Sequence, residues 1–160
     1  MRKLWLLLAC AGCGKSGAKT TWLVLPEVGL TLEAPADARA DHGERAREVQ
    51  VLSPSLPDCA ATVADANPDM LASYDRTLYY LTEGKMGYGK LKSFTRQEVA
   101  GNAWRLEWTS DTPYDHSATV YHVDHRILFP GKVVTCTRET RTPEGQACVA
   151  RMCSSIKLAP

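Results

Sequence analysis

The chain has 160 residues, with 19 basic and 18 acidic side chains, a formal net charge of +1 and 44% hydrophobic residues. That balance excludes wholesale disorder, and it lacks the strongly basic face that nucleic-acid binding requires. The length beyond the first dozen residues suits one domain with a real core and not two.

The chain opens on Met1-Arg2-Lys3, a basic stretch, followed by the apolar run Leu4 to Ala11 and the small-small-Cys site Ala11-Gly12-Cys13. A run of that length is far short of the ~20 apolar residues needed to cross a bilayer. The same region holds Ala9 to Ser16, a relaxed phosphate loop with Ala in place of its first Gly. A phosphate loop works only where a strand delivers a Gly-rich turn to a helix N-terminus and a later strand supplies an Asp for Mg²⁺. Here Gly17 to Leu25 is rich in Thr and ends at Pro26 too soon for a helix, and no later apolar run ends in such an Asp. No nucleotide partner is therefore expected.

The first sixteen residues resemble a bacterial lipoprotein signal, departing from the usual pattern where Cys10 stands three residues before Cys13. The resemblance implies that residues 1–12 are a removed signal peptide and that Cys13 carries lipid, with Cys10 as the competing site. Residues 13–20 then form a lipidated tether, and residues 21–160 a single domain. The implied partner is a membrane, reached through the anchor. Gly14 and Lys15 lack the Asp that retains such proteins at an inner membrane, which implies an outer membrane, facing the periplasm, in a two-membrane cell.

With Cys10 and Cys13 assigned to the signal and the lipid, Cys59, Cys136, Cys148 and Cys153 remain, an even number suited to an oxidising compartment. Their spacing is not that of zinc knuckles, so two disulfides are expected, with three connectivities open.

Thr21 to Leu25 and Val28 to Glu33 read as two strands meeting at a turn, and Ala34 to Glu48, with no apolar stripe, as an exposed loop. Glu48 to Leu52 and Cys59 to Ala64 are strands flanking a Pro-containing loop. A helix follows, with Asn67 as N-cap, Pro68 in its first turn, a stripe of Met70, Leu71, Tyr74, Leu78 and Leu81, and Gly84 closing it. Phe94 to Val99 and Ala103 to Thr109 form a hairpin around Gly101, with Trp104, Leu106 and Trp108 on one face. A strand over Thr119 to Ile127, a turn at Pro130-Gly131 and a strand over Val133 to Arg138 complete a meander. The last helix is capped by Thr142, starts at Pro143 and buries Val149, Met152, Cys153 and Ile156.

Short connections make neighbouring strands antiparallel, so the fold class is α+β, an antiparallel sheet with two helices packed on it. Counting back along the last strand (~7 Å) and forward along the last helix (~7.5 Å) brings Cys148 level with Cys136 and leaves Cys153 for Cys59. The order of elements is similar to the PsbP-like fold over roughly residues 20–158. The Pro26-Glu27-Val28-Gly29-Leu30-Thr31-Leu32 opening and the Cys153-Ser154-Ser155-Ile156-Lys157 ending add to the likeness. That resemblance implies a non-enzymatic accessory or binding role at a membrane, with a possible envelope protein as partner, and transfers no functional residue.

Chemistry is sparse. Ser16 to Lys19 and Ser154 to Lys157 both fit S-x-x-K without the companion motifs that make it catalytic, and no G-x-S-x-G elbow is present. No catalytic residue and no cofactor is expected. His116, His122 and His125 lie beside Asp115 and Asp124, the one constellation dense enough to test. On a strand His122 and Asp124 share a face while His125 points to the other. The expectation is a surface His122 and a partly buried, hydrogen-bonded His125. The alternative is a periplasmic metal-dependent enzyme or metal binder using His116, His122 and Asp124.

Overall fold

A computed structural model describes residues 19–66, 74–85, 87, 89–112 and 114–160. The signal, the lipidation sites Cys10 and Cys13, the phosphate-loop segment and the helix start at Asn67 to Leu71 lie outside the described residues. In chain order the elements are β1 (Thr20–Leu25), β2 (Leu30–Pro35), β3 (Arg39–His42), β4 (Glu48–Leu52), β5 (Ala61–Ala66), α1 (Tyr74–Thr82), β6 (Leu91–Ala100), β7 (Ala103–Ser110), β8 (Val120–Phe129), β9 (Lys132–Thr140), α2 (Pro143–Ser154) and β10 (Lys157–Leu158). The fold is α+β, as the pattern of short connections requires.

Seven strands form one antiparallel sheet in the order β3-β4-β5-β9-β8-β7-β6, and β1-β2-β10 form a smaller one. The opening hairpin pairs Leu25 with Leu30 across a turn that places Gly29 at φ 62°. Inward-facing Leu25, Leu30, Leu32 and Ala34 enter a core shared with Val49, Val51, Val63 and Val134 of the large sheet and Val149, Met152 and Cys153 of α2. On the opposite face of the large sheet, Trp104, Leu106 and Trp108 pack with Tyr74, Leu78 and Leu81 of α1. The two helices therefore cover opposite faces of the sheet.

Helix α1 ends as Gly84 permits. Gly84 sits at φ 65°, and Lys85 N–H donates to the Tyr80 carbonyl, the closing bond of a Schellman motif. Thr142 caps α2, its Oγ1 accepting from Gly145 N–H at 3.1 Å, with Pro143 in the first turn.

Three expectations need correction. The segment 34–48 is not all loop, because β3 pairs with β4 from Arg39↔Leu52 to His42↔Val49. As an edge strand it hydrogen-bonds on one side only, and exposed Arg39, Asp41 and His42 suit an edge that must not recruit other strands, so no apolar stripe was required. The chain beyond α2 does not stay helical either. Ser155 caps the helix and Lys157–Leu158 pair with Thr31 and Leu30 as a third strand of the small sheet.

The third correction is the disulfide pairing. The bonds join Cys59 to Cys148 and Cys136 to Cys153, each with Cα atoms 5.5 Å apart. Strand β9 runs on to Thr140, so Cys136 lies four residues, ~13 Å, from its end. Cys153 lies ten residues, ~15 Å, along the returning helix. Those lengths match, while Cys148, midway along the helix, comes level with the loop that leads into β5.

Candidate functional site

A cavity of about 360 Å³ opens between the start of β1 and end of β2, the loop 53–59 and one side of α2. Apolar atoms of Ala34, Pro35, Leu56, Pro57 and Met152 dominate its wall, and Cys59 and Cys148, joined by a disulfide, line it. The size lies within the range of small-molecule sites, and the combination of an apolar wall with a few polar groups is what such sites share.

The loop is held in place from both ends. Ser53 Oγ donates to Asp37 Oδ1 at 2.7 Å, and Ser55 N–H donates to Asp37 Oδ2 at 2.7 Å. Hydrogen bonds from Ser55, then Ser53, keep the Asp37 carboxyl below the usual carboxylate range. At the other end Thr142 Oγ1 donates to Asp58 Oδ2 at 2.9 Å. Gly145 allows the loop to lie directly on the helix, for a Cβ there would fall 2.9 Å from Asp58 Cβ and 3.0 Å from its carbonyl oxygen.

Electrostatics narrow the ligand class. A helix N-terminus normally attracts anions, but here Asp58 and Glu144 already bring carboxylates to it. With Glu33 also on the wall and Arg151 the one cation among the lining residues, the surroundings are net acidic. A neutral or cationic apolar group fits this wall, and an anionic one is repelled.

The histidine region is built differently. His122 and Asp124 do share a sheet face, opposite Trp108 and Leu106 respectively. His122 is not on the surface, however; it is buried, stacked on Trp108 with ring centroids 4.7 Å apart and planes 4° from parallel. Cross-strand pairing with a large aromatic on an apolar face covers the imidazole, which alternation alone did not reveal. Ser110 Oγ donates to the Asp111 carbonyl at 2.8 Å and lies 2.9 Å from His122 Nε2, so it accepts from an Nε2–H tautomer. Burial pushes the His122 pKa down to about 4.

The other two candidate ligands have partners of their own. Asp124 receives Arg126 through Nη2 at 2.9 Å and Nε at 3.2 Å, and that guanidinium lies 4.4 Å over the Trp104 ring. His116 is exposed and meets Asp111 Oδ2 through Nδ1 at 2.7 Å. The structure does not bring His116, His122 and Asp124 together, and among the described residues no group of three or more His, Cys, Asp or Glu could hold a metal ion. His125 is fully buried, on the opposite face, 2.9 Å from Glu107 Oε1. Glu107 meets Arg96 at 3.5 Å, and Arg105 meets Glu98 at 2.9 Å, in a charged ladder across β6 and β7.

Sequence reasoning passed over the cavity. Its lining comes from separate stretches of chain, and the one signal for it was the Ser53 to Pro57 loop, whose prolines and serines could have marked a shaped wall.

No protein-family model matches the chain, and no curated protein sequence matches it. Two solved structures are similar. The solution structure of cyanobacterial PsbP (CyanoP) from Synechocystis sp. PCC 6803 aligns over 93% of this chain and 98% of its own, with TM-score 0.59 at 13% identity. The crystal structure of LpqN, involved in cell envelope biogenesis of Mycobacterium tuberculosis, aligns over 89% and 91%, with TM-score 0.51 at 13% identity. At that identity the likeness speaks to architecture: the chain has the PsbP-like fold.

Proposed function

We propose that the protein is a lipid-anchored, envelope-facing accessory domain, non-catalytic, whose binding site is the cavity between the loop 53–59 and α2. The observation that carries the binding reading is the apolar, acid-flanked cavity of about 360 Å³. The anchor is supported by the sequence before residue 20, by two disulfides suited to an oxidising compartment, and by the involvement of the structurally similar LpqN in cell envelope biogenesis. The ligand is a small neutral or cationic apolar group, either free or presented by an envelope protein.

Two measurements test this. The mature protein taken from its own membranes should have the mass of residues 13–160 plus a lipid on Cys13; an unprocessed Met1 removes the anchor and the localisation together. The uncharged dye N-phenyl-1-naphthylamine should bind the folded protein saturably, with its sulfonated naphthalene relative bound more weakly. Leu56→Asp, a change at a partly exposed wall position, should weaken the uncharged dye by about 10-fold or more, the order expected when an apolar contact is replaced by a charge. Equal dye binding by the variant would place the site elsewhere.

A further inference from the structure

The small sheet has a second face. While Leu25, Leu30 and Leu32 point into the core, Trp22 and Val24 of β1 point outward with Thr31, Glu33 and Lys157. Trp22 is 50% exposed, Val24 55% and, at the rim, Leu158 47%. Lys157 Nζ sits 4.5 Å from the Trp22 ring centroid, a cation held against an aromatic, and Lys19 precedes the strand in an exposed position. Large exposed apolar side chains gathered on β1 and β10 call for a partner more than the same residues scattered would.

Composition suits one kind of surface. Tryptophan is enriched at the level of lipid headgroups, where its ring is half in hydrocarbon and half in water, and lysine extends its charge to the phosphates from an apolar stem. The path of the chain argues for the same occupant. Seven residue steps separate Cys13 from Thr20, a span of at most about 25 Å at ~3.6 Å per residue. An anchor on Cys13 therefore keeps the start of β1 near the headgroups, and Trp22 follows two residues later.

We infer that the outer face of the β1-β2-β10 sheet lies on the bilayer, Trp22 and Val24 at the level of the headgroups and Lys19 and Lys157 on anionic lipid phosphates. This rests on the anchored reading above. Glu33 lies on the same face but accepts from Thr20 Oγ1, and Lys157 on that face, with exposed Lys19 just before the strand, opposes its charge.

The test uses the mature lipidated protein, its lipid verified by mass, reconstituted into phosphatidylcholine vesicles containing phosphatidylglycerol and doped with lipids brominated near the headgroup end of the acyl chain. Trp104 and Trp108 are buried and supply a constant background, and Trp22→Phe identifies the Trp22 signal. Bromine should remove roughly half or more of the Trp22-dependent emission, as for a ring seated at the interface. Lys157→Glu should reduce that quenching in anionic vesicles more than in pure phosphatidylcholine. Emission that is identical in brominated and plain vesicles, on a chain whose mass carries the lipid, overturns the docking and leaves the anchor standing. A blue shift that depends on protein concentration and not on bromine overturns it in favour of a second copy on this face. A native N-terminus without lipid overturns the anchor and the docking together, and is read from the mass alone.

Discussion

Replacing Cys59 and Cys148 together by alanine is expected to cost about 4–5 kcal/mol of stability, and replacing Cys136 and Cys153 together about 3 kcal/mol, from the loop entropy each bond removes. The sequence separations are 89 and 17 residues. Against a total stability of about 5–15 kcal/mol for a domain, the first loss alone approaches unfolding. Urea unfolding under non-reducing conditions measures both variants; a larger cost for the Cys136 pair would show that native packing, not chain closure, dominates. The two bonds also differ in access. Cys136 and Cys153 are fully buried, whereas Cys148 is half-buried and lines the cavity. Thiol exchange requires a thiolate to reach a sulfur, so graded reductant should open Cys59–Cys148 first, and dye binding should fall with that first step.

The second large effect is a pH dependence set by His122. Its folded pKa is about 4 against an ordinary 6.5, and burial is the cause. Glu139 Oε1, 3.7 Å from Nδ1, favours the charged form, but that carboxylate is exposed and its pull is weakened by water. The unfolded chain takes up a proton as the pH falls through 6.5, and the folded chain resists until about 4. Stability is therefore intact above pH 6.5, falls below it, and reaches its full loss below about pH 4. Between pH 7 and pH 5 the loss should be about 2 kcal/mol, from the proton linkage of one group shifted by this amount. His122→Phe, which preserves a ring against Trp108, should flatten that part of the profile. A variant with the wild-type slope would assign the dependence to other groups.

The histidine illustrates what could be read from the chain and what could not. Alternation along β8 correctly put His122 and Asp124 on one face and His125 on the other, because side-chain period in a strand is set by backbone geometry. Whether a polar residue on a given face is wet depends on its cross-strand neighbour, and the register that sets Trp108 beside His122 is a property of two strands and their turn together. The same divide runs through the fold. Thr142, Pro143 and Gly84 were legible as helix ends because capping is local. Strand β3, which leans on β4 and on no apolar pattern of its own, was not. The disulfide pairing failed on two residues of length in β9, since a strand ended at Arg138 and one ended at Thr140 place different cysteines opposite the helix.

The placement of the two disulfides also has a mechanical consequence. Both bonds fasten α2, one to the loop before β5 and the other to β9, so the segment from Cys59 to Cys153 is stapled as a unit. None of β1, β2 and β10 carries such a staple, and β1 is an outer strand of its sheet, laddered to β2 alone. Tension arriving along the chain at Thr20, as when a tethered domain is pulled by a bound partner, therefore loads the β1–β2 ladder, a seam with no covalent bond across it. Under the proposed anchoring β1 peels away first, giving the tether added slack, while the stapled body that forms the back of the cavity keeps its shape.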